Sequence, residues 1–454
     1  MDPHRLRNLR SPEELRARLA REDVPRTTLS FYRYVRLRDV DALRHALYAE
    51  WEALGVLGRI YVSQEGINAQ VSVPTANLDA FRANLDSREA FRDVPWKIAV
   101  ADDGRSFLKL IIKAKRKIVA DGLADDAFDV TNVGTHLDAK TFNRKIDEGA
   151  LVIDMRNNYE CLIGHFEGAY LPKADTFRGA IEEVVDMLRQ KEVNGEWEMV
   201  NGADALISGA GTCTSDPPGR PSSDAPEILL YCTGGIRCEK ASAYLKHHGF
   251  TNVAQLHGGI IDYARQLKAE GLESRYLGQN FVFDERLAER ITDHVVSTCM
   301  QCGTPSDRIS NCHEATCNML LVQCEACAAK YADCCSPSCR KIHQLPIDVQ
   351  RAWRKGRSTR STKTKAINDP EALRKRIREE EELLAVNGTL HTSVAEAYSR
   401  RPLELTKLNS DAVHVSEISR HDHTPSPSHG RMISNADLSH SHSTGGRSSA
   451  PTTT

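Results

Sequence analysis

The sequence predicts a multidomain α/β protein, and three features of its 454 residues carry that expectation. Residues 1–125 follow the order β-α-β-β-α-β, and residues 126–275 alternate strands and helices around a Cys-Gly-Gly turn. Nine of the thirteen cysteines then crowd into 299–339. A chain of this length holds two or three domains. The boundaries fall at 1–125, at 126–275 with an insertion at 192–226, at 276–345, and at a tail of 346–454.

In the first unit, TLSFYRYV (28–35) alternates as a strand and DVDALRHALYAEWEAL (39–54) has helical spacing. GRIYVSQEGINAQVSV (58–73) reads as two strands joined by a turn at Glu65-Gly66. TANLDAFRANLDS (75–87) opens on a Thr N-cap and predicts a second helix, followed by WKIAVA and FLKLIIK strands. That order suggests a ferredoxin-like α+β domain, an open sheet with two helices on one face. The fold hosts many functions, RNA binding among them, so it decides no activity by itself.

The second unit centres on YCTGGIRCEK (231–240). ILLY (228–231) is a short apolar strand, and EKASAYLKHHGF has helical spacing at Ala241, Tyr244 and Leu245 before a stop at Gly249. Cys232 therefore sits where a buried strand gives way to a helix. Thr233, Gly234, Gly235 and Ile236 form the turn whose N–H groups can face the sulfur. Arg237 and the helix N-terminus add positive potential, which favours a thiolate. Cys238 is a second thiol nearby, with its redox role open. Only four residues separate Cys232 from Arg237, one fewer than in loops that cradle phosphate, so the cradle suits a single sulfur. The pattern resembles rhodanese domains, which carry sulfur as a persulfide on the loop cysteine. ALVIDMR (150–156) predicts the strand that places Asp154 and Arg156. GHFEGA (164–169) resembles a rhodanese signature in which His165 holds a turn, and QLHGGIIDYARQ (255–266) matches the last strand and helix. The expectation is a rhodanese-like, doubly wound parallel sheet with the loop at the carboxyl end of a strand.

Composition narrows the partners. A net charge of −2 gives no global argument for nucleic acid or membrane. No apolar run approaches the ~20 residues of a membrane span. The Arg-rich start, MDPHRLRNLRSPEELRARLARED, lacks a secretory apolar core and reads as a surface helix. Thirteen cysteines without a secretory signal point to thiol chemistry and metal rather than disulfides. Candidate metal ligands are Cys299, Cys302, Cys312, Cys317, Cys324, Cys327, Cys334, Cys335 and Cys339. Two C-x2-C pairs, 299/302 and 324/327, lie 21 residues apart, near the zinc-ribbon gap of roughly 15–20. Structural zinc is expected, with iron–sulfur the weaker alternative. The number of ions and the pairing stay open, and His294, His313 and His343 are possible substitutes.

PRTTLSFYRY, GRIYVSQEGINAQVSVP, KIVADGL, VIDMRNNYE, GHFEGA, DTFR, YCTGGIRCEKASAYL, GGIIDYAR, NFVFDERLAERI and the cysteine cluster occur in the order of one family. From about residue 24 to 365 the chain resembles the bacterial-type TrhO family, the rhodanese-domain tRNA uridine hydroxylases. The resemblance implies oxygen-dependent conversion of the wobble base, uridine 34 of tRNA, to 5-hydroxyuridine in the anticodon loop, and a requirement for Cys232. Molecular oxygen is then a co-substrate, with the electron donor and tRNA set unknown. No two-His-one-carboxylate iron site and no dinucleotide fingerprint stand out. The alternative is a persulfide sulfurtransferase; a zinc-stabilised RNA-binding scaffold with an inert loop is the blandest reading. The chain departs from the family at 192–226, a Gly/Ser/Pro-rich insertion, and beyond 366. There, 369–386 reads as one charged helix and 409–454 as a disordered Ser/His/Thr-rich end. Residues 340–378 hold 13 Lys/Arg against three acidic residues. With this family behind it, the stretch around Arg351, Arg354, Lys355 and Arg357 reads as a phosphate-tracking arm. The expected location is cytoplasmic, with an organelle as the alternative; oligomeric state is open.

Overall fold

The computed structural model describes residues 12–22, 24–101, 104, 106–123, 128–194, 226–355 and 369–386. Residues 195–225 (most of the expected insertion), Arg357 and the 409–454 stretch lie outside them.

After helix α1 (Pro12–Arg21), the first domain runs β1 (Arg26–Tyr34), α2 (Val40–Ala53), β2 (Leu57–Ser63), β3 (Gly66–Pro74), α3 (Leu78–Asp86), β4 (Lys97–Ile98) and β5 (Leu110–Ala114). The sheet order β4-β1-β3-β2 is the expected ferredoxin-like arrangement, and β5 adds a fifth strand parallel to β2. β1 and β3 pair antiparallel from Arg26↔Pro74 to Tyr34↔Gly66. Gly66 closes the β2–β3 turn at φ +139°, where a Cβ would lie 1.9 Å from the Arg33 carbonyl oxygen. Thr75 does not cap α3; it opens a single 3₁₀ turn at Thr75–Asn77, from which the helix continues. Alternation sends Leu29, Phe31, Ile67, Ala69 and Val71 into a core with Leu47, Trp51 and Phe81 of the helices. The same alternation turns Ser30, Tyr32 and Tyr34 of β1, with Asn68 and Gln70 of β3, onto the face that carries no helix.

The second domain comprises β6 (Thr135–Leu137), α4 (Ala139–Asp147), β7 (Leu151–Asp154), α5 (Asn158–Cys161), β8 (Gly164–Phe166), α6 (Phe177–Asn194), β9 (Ile228–Tyr231), α7 (Ile236–His247), β10 (Val253–Leu256) and α8 (Gly259–Glu270). Strands β6-β10-β9-β7 form a parallel sheet. Its central strand β9 is buried at every residue, as an apolar strand covered on both faces must be. One face packs Leu230 against Ile181, Val184 and Leu188 of α6 and Leu245 of α7. The other packs Leu229 against Phe142 of α4 and Ile260 and Tyr263 of α8. The doubly wound arrangement follows.

β8 leaves this sheet to pair antiparallel with β11 (Tyr276–Phe281), which also pairs with β12 (Ala288–Arg290). This small sheet crosses the boundary drawn at 275. The Cys-rich segment holds β13 (Ile309–Asn311), β14 (Leu320–Val322), α9 (Glu325–Tyr331), α10 (Pro337–His343) and α11 (Ile347–Arg354). Helix α12 (Pro370–Val386) buries Leu373 and Ile377 among those cysteines. The charged helix read in the tail is thus part of the folded unit. Among the described residues, no helix is long and apolar enough to cross a membrane.

A buried ion cluster docks the first domain on the second. The Lys240 ammonium of α7, 1% exposed, meets Asp121 at 2.6 Å and Glu65 of the β2–β3 turn at 2.9 Å. Tyr34 donates its hydroxyl to the Ile236 carbonyl at 3.2 Å. Removing the cation leaves Asp121 with the Lys117 ammonium at 2.8 Å and Glu65 with the Ile118 N–H, so the cost falls below that of a fully stranded charge and is on the order of 1–3 kcal/mol. Lys240→Ala should therefore lower thermal stability by an amount in that range and open the domain junction to limited proteolysis. An unchanged melting temperature would show that the cluster contributes nothing to docking.

Candidate active site

The loop after β9 is built by backbone rather than by side chains. Gly235 takes φ +93° and points its N–H at the Cys232 sulfur, 3.1 Å away. The N–H groups of Arg237 and Cys238 also bond that sulfur. The Gly258-Gly259 turn locks against the loop, with Ile260 N–H donating to the Cys232 carbonyl at 3.0 Å. A Cβ on Gly259 would lie 2.4 Å from the same oxygen. Burial pushes the Cys232 thiol up, but the Cys238 thiol hydrogen bond, the Arg237 charge and the N–H groups outweigh it and bring it down to about 6. Burial and the donated hydrogen bond push Cys238 well above the usual thiol range. At neutral pH the geometry therefore gives one thiolate and one thiol donor.

Arg237 does not face the sulfur alone. Its guanidinium forms a bidentate pair with Glu160, at 2.5 and 2.9 Å, and also reaches Thr233 Oγ1 at 3.3 Å. Glu160 has no exposed side-chain surface and is held by the capping box it forms with Asn157 at the start of α5. The VIDMRNNYE motif contains this residue, but a lone Glu in a short helix carries no sequence signal of its partner.

Above the loop lies a cavity of ≈ 680 Å³. Thr233, Gly234, Ile236 and Arg237 form one wall. Tyr32, Tyr61, Asn68, Gln70 and Lys97, from the helix-free face of the first domain, form the opposite wall. Phe283, Arg286 and Glu289, around β12, close an end. Tyr32 donates to Glu239 of α7 at 2.9 Å, and the Lys97 ammonium sits 4.5 Å from the Tyr32 ring centroid. Burial lowers the Lys97 pKa, although Asp262 and Cys232 oppose the shift. Cys232 itself has no exposed surface and is not among the residues that line the cavity, whereas its neighbours Thr233 and Gly234 are.

In the Cys-rich segment, two groups of four sulfurs each lie within 4.8 Å of one another: Cys299, Cys302, Cys324 and Cys327, and Cys312, Cys317, Cys335 and Cys339. Each set fits one tetrahedral metal ion. The groups interleave, with the first and third cysteine pairs sharing one site and the second and fourth the other.

Three family models match the chain: a UPF0176 acylphosphatase-like domain over residues 26–118, a rhodanese-like domain over 138–266, and a rhodanase C-terminal domain over 277–340. A Leptospira interrogans protein named tRNA uridine(34) hydroxylase is 52% identical over 353 residues, covering 78% of this chain and 88% of that protein. Proteins of the same name from Yersinia enterocolitica and Yersinia pestis are 47% and 46% identical over 355 residues, 78% of this chain and 92% and 91% of theirs. The chain belongs to the tRNA uridine(34) hydroxylase family.

In this family member the other predicted residues sit as follows. Asp154 and Arg156 form a fully buried pair at 2.6 Å, and Arg156 also donates to the Gly164 carbonyl at 2.7 Å and to Tyr276 Oη at 3.3 Å. They tie β7 to β8 and β11 behind the loop and do not line the cavity. His165 pairs across β8–β11 with Leu277, and its Nδ1 lies 3.1 Å from the Phe166 carbonyl oxygen, again outside the cavity lining. Cys334, although fully buried, stands outside both four-sulfur groups, with its thiol 3.5 Å from the Ala332 carbonyl. Cys335 enters the second group, while Cys334 borders it through a thiol contact with Cys312. His294, His313 and His343 belong to neither group. Arg351 and Lys355 are exposed at α11, while Arg354 is half-buried and donates to the Gln350 carbonyl at 3.2 Å. The sheet-borne wall of the cavity was missed from sequence. Its signal was present in the alternation of β1 and β3, which leaves tyrosines and amides on a face that its own domain does not cover.

Proposed function

We propose that this hydroxylase acts on uridine 34 in the anticodon loop of tRNA and converts it to 5-hydroxyuridine with Cys232 as nucleophile. The observation that carries this reading is the thiolate loop facing a large cavity whose far wall comes from a second domain. A persulfide carrier serving small acceptors has no need of that wall, whereas a flipped nucleotide does. The wobble base is unpaired, so leaving its stack costs little. In this reading the cavity-lining residues Thr233 and Gly234 move aside for the incoming base, which then meets the sulfur. The thiolate forms a bond to C6, and the C5=C6 electron pair moves onto C5 and O4 as an enolate. Arg237 and Lys97 stand where negative charge on the ring develops. Molecular oxygen adds at C5; one of its atoms stays, and the other leaves as water with two electrons and two protons from an external reductant. Loss of the C5 proton and departure of the thiolate restore the ring.

The relatives' names support the substrate. The two tetrathiolate groups would each hold a structural zinc, which supplies folding energy and takes no part in the reaction. Exposed Arg351 and Lys355, with Arg354 and Arg357, form the phosphate-contacting arm, and the work is cytoplasmic. The test pairs two measurements. Nucleoside analysis of tRNA from cells lacking the protein should show loss of 5-hydroxyuridine at position 34. A tRNA carrying 5-fluorouridine at that position should leave an adduct that survives denaturation and maps to Cys232. Unchanged 5-hydroxyuridine together with strong thiosulfate sulfurtransferase activity would move the assignment to a persulfide carrier. Turnover of ordinary tRNA without any adduct would remove the direct attack at C6.

A further inference from the structure

The NFVFDERLAERI stretch folds over the cavity as β11, a turn and β12, and no step above uses it. Glu289, on β12, lines the cavity with its side chain 1% exposed. Its Oε1 accepts from the Val100 N–H at 3.2 Å and from Arg286 Nη1 at 2.6 Å. Arg286 is itself committed to Asp284, also at 2.6 Å, so the guanidinium is shared. Glu289 Oε2 is buried and has no hydrogen-bond partner. Directly across the β11–β12 ladder stands Asn280, fully buried, with both its amide nitrogen and its amide oxygen unpartnered. Cross-strand partners share a face of the sheet. Three polar atoms on two cross-strand neighbours are therefore without a partner, and Glu289 is the one of the two residues that lines the cavity. Buried polar groups are almost always paired, and leaving one unpaired costs about 1–3 kcal/mol. An unpartnered carboxylate oxygen on a cavity-lining residue is completed by a ligand that brings its own donor.

We infer that Glu289 is the residue that selects uracil, its free carboxylate oxygen accepting the N3–H of the imide. The inference rests on the proposed reaction with a flipped uridine in this cavity. Uracil carries one ring N–H at its pairing edge, flanked by two carbonyl oxygens. Cytosine presents a bare lone pair at the same atom, which a carboxylate oxygen repels. A site built to hydrogen-bond a substrate N–H rejects analogues that lack it, because its own buried group is left unpaired. Glu289 is specificity-determining in this role and takes no part in bond making at C5 or C6.

The experiment compares full-length wild type and Glu289→Gln on anticodon stem-loops carrying uridine or 3-methyluridine at position 34. Methylation at N3 removes the donor and leaves C5 and C6 open. Wild type should lose about 10–100-fold in kcat/KM on the methylated stem-loop, the size of a hydrogen bond to a charged group. Glu289→Gln should lose a similar factor on uridine and show little further loss on 3-methyluridine, so the two changes are not additive. Equal discrimination by both proteins would overturn the assignment, as would wild-type turnover of 3-methyluridine at the rate of uridine. The second comparison needs no variant and stands even if Glu289→Gln folds poorly. Failure of wild type on plain uridine 34 is a different result and would instead remove the proposed reaction.

Discussion

Cys232→Ser should abolish hydroxylation, by at least roughly 10³-fold, while leaving the melting temperature and metal content unchanged. A serine hydroxyl is far less acidic than a thiol, and the loop's N–H groups and Arg237 cannot make it an anion at neutral pH. The wild-type pH profile should report the same thiol. With Cys232 held down to about 6, kcat/KM falls as pH drops below that value and is level above it. The sign follows from the thiolate being the reactive form, which protonation removes. Arg237→Gln takes away one of the charges that lower the pKa, so its acid limb should move to higher pH. Cys238→Ser keeps a hydrogen-bond donor beside the sulfur and should cost much less than Cys232→Ser. Equal loss from both would indicate instead that Cys238 resolves an oxidised Cys232. Retained turnover by Cys232→Ser would remove the residue from the mechanism.

Metal removal should have the next largest effect. Elemental analysis of freshly prepared, reduced protein should find two zinc ions per chain, one for each interleaved group. Chelation should unfold residues 299–343 and release α12, whose Leu373 and Ile377 pack against that segment, before either sheet domain melts. Cys302→Ser should lower the zinc content to about one and destabilise both sites, since their chain segments alternate through the β13–β14 hairpin. Protein without stoichiometric metal would count against the assignment, and visible absorption typical of a cluster would point to iron–sulfur.

The loop was legible because its signal is local: an apolar strand, Cys-Thr-Gly-Gly, then a helical pattern, all within about twenty residues of sequence. The parallel sheet followed from the same alternation of elements, and the ferredoxin-like order from the pleat of β1 and β3. What stayed hidden depends on contacts between distant segments. Glu160 lies 77 residues from the Arg237 it neutralises, and Tyr32 lies 207 from the Glu239 it meets. Neither residue type announces such a partner. The cysteine count suggested metal, but spacing left the number of ions and the pairing open and could not separate Cys334 from Cys335. That distinction is made by the fold, which places Cys335 among Cys312, Cys317 and Cys339 and leaves Cys334 at the edge of the group. Leu373 and Ile377 sit in a helix whose sequence is mostly charged, and the surface that buries them, cysteines with Met300, Leu320 and Tyr331, comes from a different segment.

The interleaved order of the thiols also sets a timetable for synthesis. The first site cannot close until Cys327 has been made, and the second waits for Cys339; by then the sheet domains and the Cys232 loop already exist. Helix α12 comes later still. A ribosome that stops anywhere between residues 302 and 339 therefore leaves at least one set of thiolates incomplete and the β13–β14 hairpin unsupported. With an ion in each group, chain completion and metal loading would become a single checkpoint, passed only by a polypeptide that carries both sets of thiols and α12.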